Sequence, residues 1–335
     1  MGVILGVVGL GRIGAFHTAT LRTLPGVDGL VVTDERPAVT AAVAAEFGAK
    51  AVDSAAELIA SGVDGVVVAA ATPAHASLVL ACVDAGIPVF CEKPLAATPG
   101  ESVAVVTGIE SSGVPVQIGY NRRFAPAFAA AKNAVTSGEL GWLHTVRSTT
   151  LDPAPPPMDY VAVSGGIFRD CSVHDFDIVR WIVGREVVEV YAAGSNQGDP
   201  AFAAAGDVDT ATTTLTFDNG TIGVVSNTRY NARGYDCRLE VHGSEDAVVA
   251  GWDEQVPVRN LETGATFPTG TPHSFFMDRF ASAYQLELGA FVDVVEGRLE
   301  SPCTPRDALE VAFIAEAATL SLQQHRPVRI DEVRL

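Results

Sequence analysis

Asp170 and His174 stand four residues apart in Gly165-Gly166-Ile167-Phe168-Arg169-Asp170-Cys171-Ser172-Val173-His174-Asp175-Phe176-Asp177, a stretch that runs on with helical periodicity. On one helix that spacing sets a carboxylate and an imidazole on the same face, one turn apart. A carboxylate beside an imidazole orients the ring and raises its basicity, as a group that takes a proton from an alcohol near neutral pH requires. The same spacing also suits a plain surface hydrogen bond, so the pair gains meaning only from its company in the chain.

Part of that company is Gly9-Leu10-Gly11-Arg12-Ile13-Gly14, which follows an apolar run and opens an alanine-rich helical stretch. In a dinucleotide fingerprint the first glycine makes a tight turn, the second admits the pyrophosphate against the backbone, and the third lets helix and strand pack closely. The helix N-terminus then meets the phosphates with free N–H groups and a favourable dipole. Asp34 lies twenty residues beyond Gly14, where a carboxylate accepts hydrogen bonds from a ribose 2′-hydroxyl. A glycine turn chosen only for packing leaves Asp34 unexplained. Asp34 favours NAD over NADP, while Arg36, two residues on, is either a phosphate partner or a solvated cation. Lys93, in Glu92-Lys93-Pro94, is one of only three lysines, with Lys50 and Lys132. An ammonium can surrender a proton where a guanidinium cannot.

The elements that must carry these residues alternate in kind up to about residue 120. Short β-branched runs at 3–8, 29–33, 50–52, 65–70, 88–90 and 114–118 are separated by helical stretches. That rhythm predicts βαβ units and a doubly wound parallel sheet, a Rossmann domain over 1–120, with Lys93 at the carboxyl end of the fifth strand. Over 121–335 the pattern predicts an α+β domain for substrate binding and oligomerisation. Strands near 143–148 and at 187–193, 210–217, 221–228, 237–242 and 247–249 make an open, mostly antiparallel sheet, and helices at 274–296 and 304–324 close the chain. Thr210–Leu215 and Ile222–Val225 alternate in character, and no helix is evident to cover one sheet face, which predicts a homo-oligomer, a tetramer.

With 335 residues and 48% hydrophobic content, the chain is long enough for two cores. A net charge of −18 argues against nucleic acid or an anionic membrane as partner. The five cysteines have no C-x-x-C pair, so they predict neither a disulfide framework nor a thiolate metal site, and a cytoplasmic location. The remaining histidines, His17, His144, His242, His273 and His325, show no metal-ligand spacing and read as structural. No apolar run reaches membrane-spanning length.

Taken in order, the glycine fingerprint, Glu92-Lys93-Pro94, Gly119-Tyr120-Asn121-Arg122-Arg123-Phe124 and the Asp170/His174 stretch make the chain resemble the glucose-fructose oxidoreductase and inositol dehydrogenase family over essentially its whole length. Within that family it is most similar to the inositol 2-dehydrogenases, through Arg122-Arg123-Phe124, the loop Asp152-Pro153-Ala154-Pro155-Pro156-Pro157, Phe168-Arg169-Asp170, Gly234-Tyr235-Asp236 and 276–284. The resemblance implies NAD as cofactor and Lys93, Asp170 and His174 as the catalytic trio. It places Thr72, Pro73, His75 and Glu92 along the cofactor cleft, beside Gly9, Gly11, Arg12, Ile13, Gly14, Asp34 and Arg36. Arg122, Asp152 and Tyr235 become candidates for holding substrate hydroxyls. For Arg122 an ion pair, for Tyr235 strand packing and for His75 helix capping are the competing roles. Thr150-Leu151 stand where related enzymes carry more polar side chains, which bears on the stereochemistry of the polyol. The implied reaction is oxidation of a ring hydroxyl of a cyclic polyol, myo-inositol or a stereoisomer. Oxidation of a hexose, redox-assisted glycoside cleavage and non-catalytic sugar or NAD sensing are the alternatives.

Overall fold

A computed structural model describes residues 2–334. The chain divides into two compact units, one running through Asn121 and including Ser282–Glu310, the other comprising Arg122–Ala281 and Val311–Arg334.

In the first unit, β1 (Val3–Val8), β2 (Val27–Thr33), β3 (Lys50–Ala51), β4 (Gly65–Val68), β5 (Val89–Glu92) and β6 (Val116–Gly119) form a wholly parallel sheet in the order β3-β2-β1-β4-β5-β6. The central strands are near-continuous apolar runs, as strands covered on both faces must be. Helices α1 (Arg12–Thr23), α2 (Pro37–Phe47), α3 (Ala55–Ala60), α4 (Thr72–Asp84) and α5 (Pro99–Ser112) make the crossovers. Strand order reverses between β1 and β4, and at such a point a crevice opens at the carboxyl ends of the strands. Residues 282–310, read from sequence as part of the second domain, belong to this unit instead. Leu288, Phe291 and Val292 join Leu5, Val7, Val67 and Phe90 in one core, because that helix carries a broad apolar face that only a second layer can bury.

The second unit holds β7 (Leu143–Leu151), β8 (Val187–Ser195), β9 (Thr210–Phe217), β10 (Ile222–Thr228), β11 (Asp236–Gly243), β12 (Ala247–Ala250) and β13 (Val328–Arg329) in the order β12-β11-β7-β10-β9-β8-β13. All neighbours are antiparallel except β7 and β10, which run parallel. The helices from here on are α6 (Pro126–Thr136), α7 (Met158–Val161), α8 (Ile167–Asp170), α9 (Val173–Val183), α10 (Ala201–Ala204), α11 (Phe276–Arg279), α12 (Ala281–Val295) and α13 (Pro305–Gln324). Burial alternates with period two along β9 and β10, with Thr213, Leu215 and Val225 inward. On the opposite face Tyr191 and Thr212 are exposed and Thr214, Val224 and Ser226 half-buried.

Two helices expected to be continuous are broken. The stretch holding Asp170 and His174 splits into α8 and α9 at Cys171-Ser172. Ser172 donates its hydroxyl to Asn227 Oδ1 of β10 at 2.6 Å, and the N–H groups of Ser172 and His174 bond to Ile167 and Cys171 in place of an unbroken four-residue ladder. Helical spacing persists across such a break, so sequence periodicity does not reveal it. The helix expected over 274–296 is likewise α11 and α12, separated at the buried, non-helical Phe280.

Candidate active site

The glycine loop joins β1 to α1. Gly9 has φ 89°, a left-handed conformation, and its N–H bonds to Thr33 O at 2.9 Å. A Cβ on Gly14 would fall 1.8 Å from Gly9 O, so this position is glycine for internal packing. Gly11 differs: its φ is an ordinary −65° and a Cβ there would meet no protein atom within 4 Å. Among the described residues nothing demands that glycine; a pyrophosphate lying on the backbone would. Gly11 caps α1 without a side chain, and no acidic residue occupies the first turn to compete for an anion. Arg12 is exposed and Ile13 half-buried in that turn. The residues therefore fit a dinucleotide.

Asp34, one residue beyond β2, reaches back to this loop, where its Oδ2 accepts Leu10 N–H at 2.7 Å. Its Oδ1 accepts the backbone N–H of Arg36 at 3.0 Å and the guanidinium Nε–H at 2.8 Å. The Arg36 hydrogen bond is the main influence that lowers the Asp34 carboxyl from 3.8 to about 2, against the opposing effect of burial. Arg36 is thus partnered with Asp34, with its side chain 63% exposed.

Thr72 and Pro73 open α4 after β4. His75 is buried, one ring nitrogen 2.7 Å from Pro94 O and the other 2.9 Å from Ala70 O, so it ties the segment after β4 to the turn that carries Lys93. Glu92 accepts the Lys93 N–H at 3.3 Å, and its other oxygen lies 2.6 Å from Nε2 of His17 on α1. His17 is fully buried against Phe90 and Tyr284, with no hydrogen-bond partner for Nδ1. The pairing with Glu92, absent from the sequence reading of His17, connects the dinucleotide helix to the Lys93 turn.

In the second unit Arg122 is buried rather than at a surface. Its Nη1 donates to Asp175 Oδ1 at 2.8 Å. Burial opposes the Arg122 charge, but neighbouring Asp175 outweighs it and the guanidinium is held firmly protonated. Asp175, fully buried, also accepts hydroxyls of Ser148 at 2.5 Å and Thr150 at 2.8 Å and the Asn227 amide at 2.8 Å. Thr150, expected to tune a polyol pocket, is therefore committed to this internal network. Arg123 repeats the arrangement with Asp177, donating through Nε at 2.9 Å and Nη2 at 2.5 Å. Tyr235 packs its ring against Phe276 and Phe280, the latter also lying beneath the Arg122 guanidinium, and burial pushes its hydroxyl pKa up.

Asp152 and Asp170 are joined by a residue the sequence reading passed over. Arg229, 5% exposed, donates through Nη1 to Asp152 Oδ2 at 2.8 Å and through Nη2 to Asp170 Oδ2 at 2.7 Å. The other Asp170 oxygen accepts the Tyr160 hydroxyl at 2.8 Å. Burial raises the Asp152 carboxyl above its ordinary value, with Arg229 pulling the other way. Among the described residues no group of three or more His, Cys, Asp or Glu side chains is placed to hold a metal ion, and no helix is long and apolar enough to cross a membrane.

Residues 3–120 match the oxidoreductase family with an NAD-binding Rossmann fold, and residues 128–249 match the GFO/IDH/MocA C-terminal domain. The chain belongs to the GFO/IDH/MocA oxidoreductase family. It is an NAD-dependent oxidoreductase. It is 38% identical to the myo-inositol 2-dehydrogenase of Thermotoga maritima, over 98% of this chain and 99% of that one. A crystal structure of a probable dehydrogenase from Thermotoga maritima superposes with a TM-score of 0.93 at 37% identity, covering 99% of this chain and all of that one. The scyllo-inositol dehydrogenase of Lactobacillus casei, solved with bound NAD(H) and scyllo-inositol, gives a TM-score of 0.90 at 27% identity, covering 99% and 100%.

Two consequences can be measured. Gly14→Ala forces a Cβ into Gly9 O and is expected to destabilise the fold by ~1–3 kcal/mol. Gly11→Ala has room and is expected to unfold at the wild-type temperature while binding NAD at least about tenfold more weakly, ~1.4 kcal/mol. Thermal unfolding without cofactor and NAD titration separate the two, and normal NAD binding by Gly11→Ala would contradict the assignment of the cradle. Asp175→Ala leaves Arg122 buried without its counter-charge and is expected to cost ~3–5 kcal/mol in urea unfolding; a loss under 1 kcal/mol would show that the network does not hold α9.

Proposed function

We propose that this chain oxidises a ring hydroxyl of a cyclic polyol, myo-inositol or a close stereoisomer, to the corresponding ketone. The observation that carries this reading is near-full-length similarity to proteins named myo- and scyllo-inositol dehydrogenases, in a chain that retains Lys93, Asp170 and His174 together. Held at the glycine loop Gly9–Gly14 and by Asp34, NAD would supply the acceptor for the hydride of the hydroxyl-bearing carbon. His174 takes the hydroxyl proton through its neutral imidazole, so oxidation rises with pH as the ring loses its own proton. Asp170, anchored by Arg229 and Tyr160, is a fixed negative charge that favours the imidazolium once the proton has moved. Lys93 binds the reacting oxygen and stabilises the negative charge that grows there.

Asp152, Tyr235 and Arg122 are the proposed hydroxyl-recognising group. Their donors and acceptors suit a neutral polyhydroxylated ring better than a phosphate or a carboxylic acid, because no strongly basic cluster is present. Arg122 acts in this reading through Asp175 as well as by its own charge. A site that hydrogen-bonds hydroxyls discriminates strongly when one is inverted, by up to ~10⁴-fold.

We further propose a homotetramer in the cytoplasm. The face of the second sheet that carries exposed Tyr191 and Thr212 is an interface, and five buried cysteines outside any disulfide suit a reducing compartment.

Initial rates of reduced nicotinamide formation across inositol isomers, hexoses and pentoses test the substrate. Myo-inositol or a stereoisomer is expected to lead, and His174→Ala and Lys93→Ala to lower kcat by at least ~100-fold with NAD binding retained. Turnover of a hexose with every inositol inert would overturn the polyol assignment, and near-normal turnover by His174→Ala would remove the proposed base. Light scattering at micromolar protein is expected to give a tetramer mass; a monomer would refute the interface.

A further inference from the structure

Arg229 follows β10 directly and occupies none of the motifs that mark the family resemblance, yet it is the group on which two of the proposed site residues converge. Its backbone is fixed, the N–H donating to Asp209 O at 2.8 Å. Asp209 is itself held by the N–H groups of Gln197 and Gly198, both at 2.8 Å. Its guanidinium is nearly sealed from water and sends one terminal nitrogen to each of two carboxylates that come from different elements. Asp152 follows β7, and Asp170 ends α8. Among the described residues its Nε–H is buried without a partner, so the side chain is not placed to maximise its own hydrogen bonds. What the placement achieves is a span: the planar fork fixes the separation and relative orientation of two anions that would otherwise repel.

We propose that Arg229 is a positioning residue for the oxidation, setting the hydroxyl-recognising Asp152 and the catalytic Asp170 in one fixed geometry. The inference rests on the roles proposed above for those two aspartates. It deepens that reading by making the polyol's grip and the base's counter-charge parts of a single rigid unit. The Asp170 carboxylate is faced by Arg229 and by the Tyr160 hydroxyl of α7, and the buried Cys171 thiol lies in the field of Asp152, Arg229, Asp175 and Asp170. Arg229 bonds both aspartates, and Tyr160 meets the remaining oxygen of Asp170.

Lysine keeps the charge but offers one compact ammonium, which cannot reproduce two diverging bonds from a planar fork. Arg229→Lys is therefore expected to lower kcat by roughly 10²-fold, the usual effect of a displacement near 1 Å at a reacting centre. The KM for the polyol is expected to rise and the primary deuterium isotope effect on kcat to increase, while the Kd for NAD stays within twofold. The double variant Arg229→Gln/Asp152→Asn removes one positive and one negative charge, so the net charge of the three groups is unchanged; read against Asp152→Asn alone it is expected to show a further loss of kcat, and it decides the question if Arg229→Lys does not fold. A merely structural role would lower the unfolding temperature and leave kcat and the isotope effect of the folded enzyme unchanged. Folded Arg229→Lys with kcat within twofold of wild type, or the folded double variant with kcat within twofold of Asp152→Asn, overturns the proposal. Asp170→Asn run in parallel separates the two levels: if it too keeps full kcat, the catalytic reading of Asp170 has failed, and if it loses kcat while the Arg229 variants do not, only the role of Arg229 has.

Discussion

Asp175 is a carboxylate sealed from water, and the second unit is arranged around satisfying it. Removing such a charge from solvent costs several kcal/mol and is tolerated only when its lone pairs are met by donors of good geometry. Four side chains do this: Arg122 from the 3₁₀ turn Asn121–Phe124, Ser148 and Thr150 from β7, and Asn227 from β10. Asn227 in turn receives the Ser172 hydroxyl at the break before α9. The first turn of α9 is therefore pinned to two parallel strands and to the segment that enters this unit. His174 is the residue immediately before Asp175, so its position follows from that anchor. Two residues on, Arg123 and Asp177 repeat the device, which makes a rotation of α9 cost two buried ion pairs rather than one.

The first unit solves a related problem with fewer charges. Its glycine loop is held in place by contacts within the protein. Gly14 lets α1 press against the turn, and Asp34 ties Leu10 of the loop to the end of β2. His17 of α1 reaches Glu92, and His75 reaches Pro94, so the turn bearing Lys93 is braced from both the cofactor helix and α4. Both histidines are buried and bonded on the protein side. They brace the turn that bears Lys93, His17 through the Glu92 carboxylate and His75 through backbone carbonyls.

The fold was legible because buried parallel strands write themselves as apolar runs, and because the glycine spacing at 9, 11 and 14 has a physical cause at every position. The antiparallel strands around 210–228 were legible from their alternation. Long-range pairings were not. Nothing local to Arg229, Asp175 or His17 distinguishes a buried bridging side chain from a solvated one, since the partners lie from 25 to 77 residues away in the chain. Thr150 looked like a pocket residue because only the structure shows which strand face it occupies. The break between Asp170 and His174 is hidden for the same reason: Ser172, at the break, bonds to Asn227 of β10, 55 residues downstream. The return of 282–310 to the first unit was hidden because an apolar helix face does not announce which core it completes.

The proposed reaction moves a hydride from a ring carbon of an inositol to NAD while His174 takes the hydroxyl proton. Its most direct test uses myo-inositol and scyllo-inositol with deuterium on every ring carbon, followed by mass analysis of the reduced nicotinamide. The account predicts one deuterium in the cofactor for each ketone formed, from at least one of the two isomers, and no label transfer by His174→Ala above ~1% of the wild-type rate. Unlabelled reduced nicotinamide, or no transfer from either isomer alongside transfer from a deuterated hexose, would contradict it.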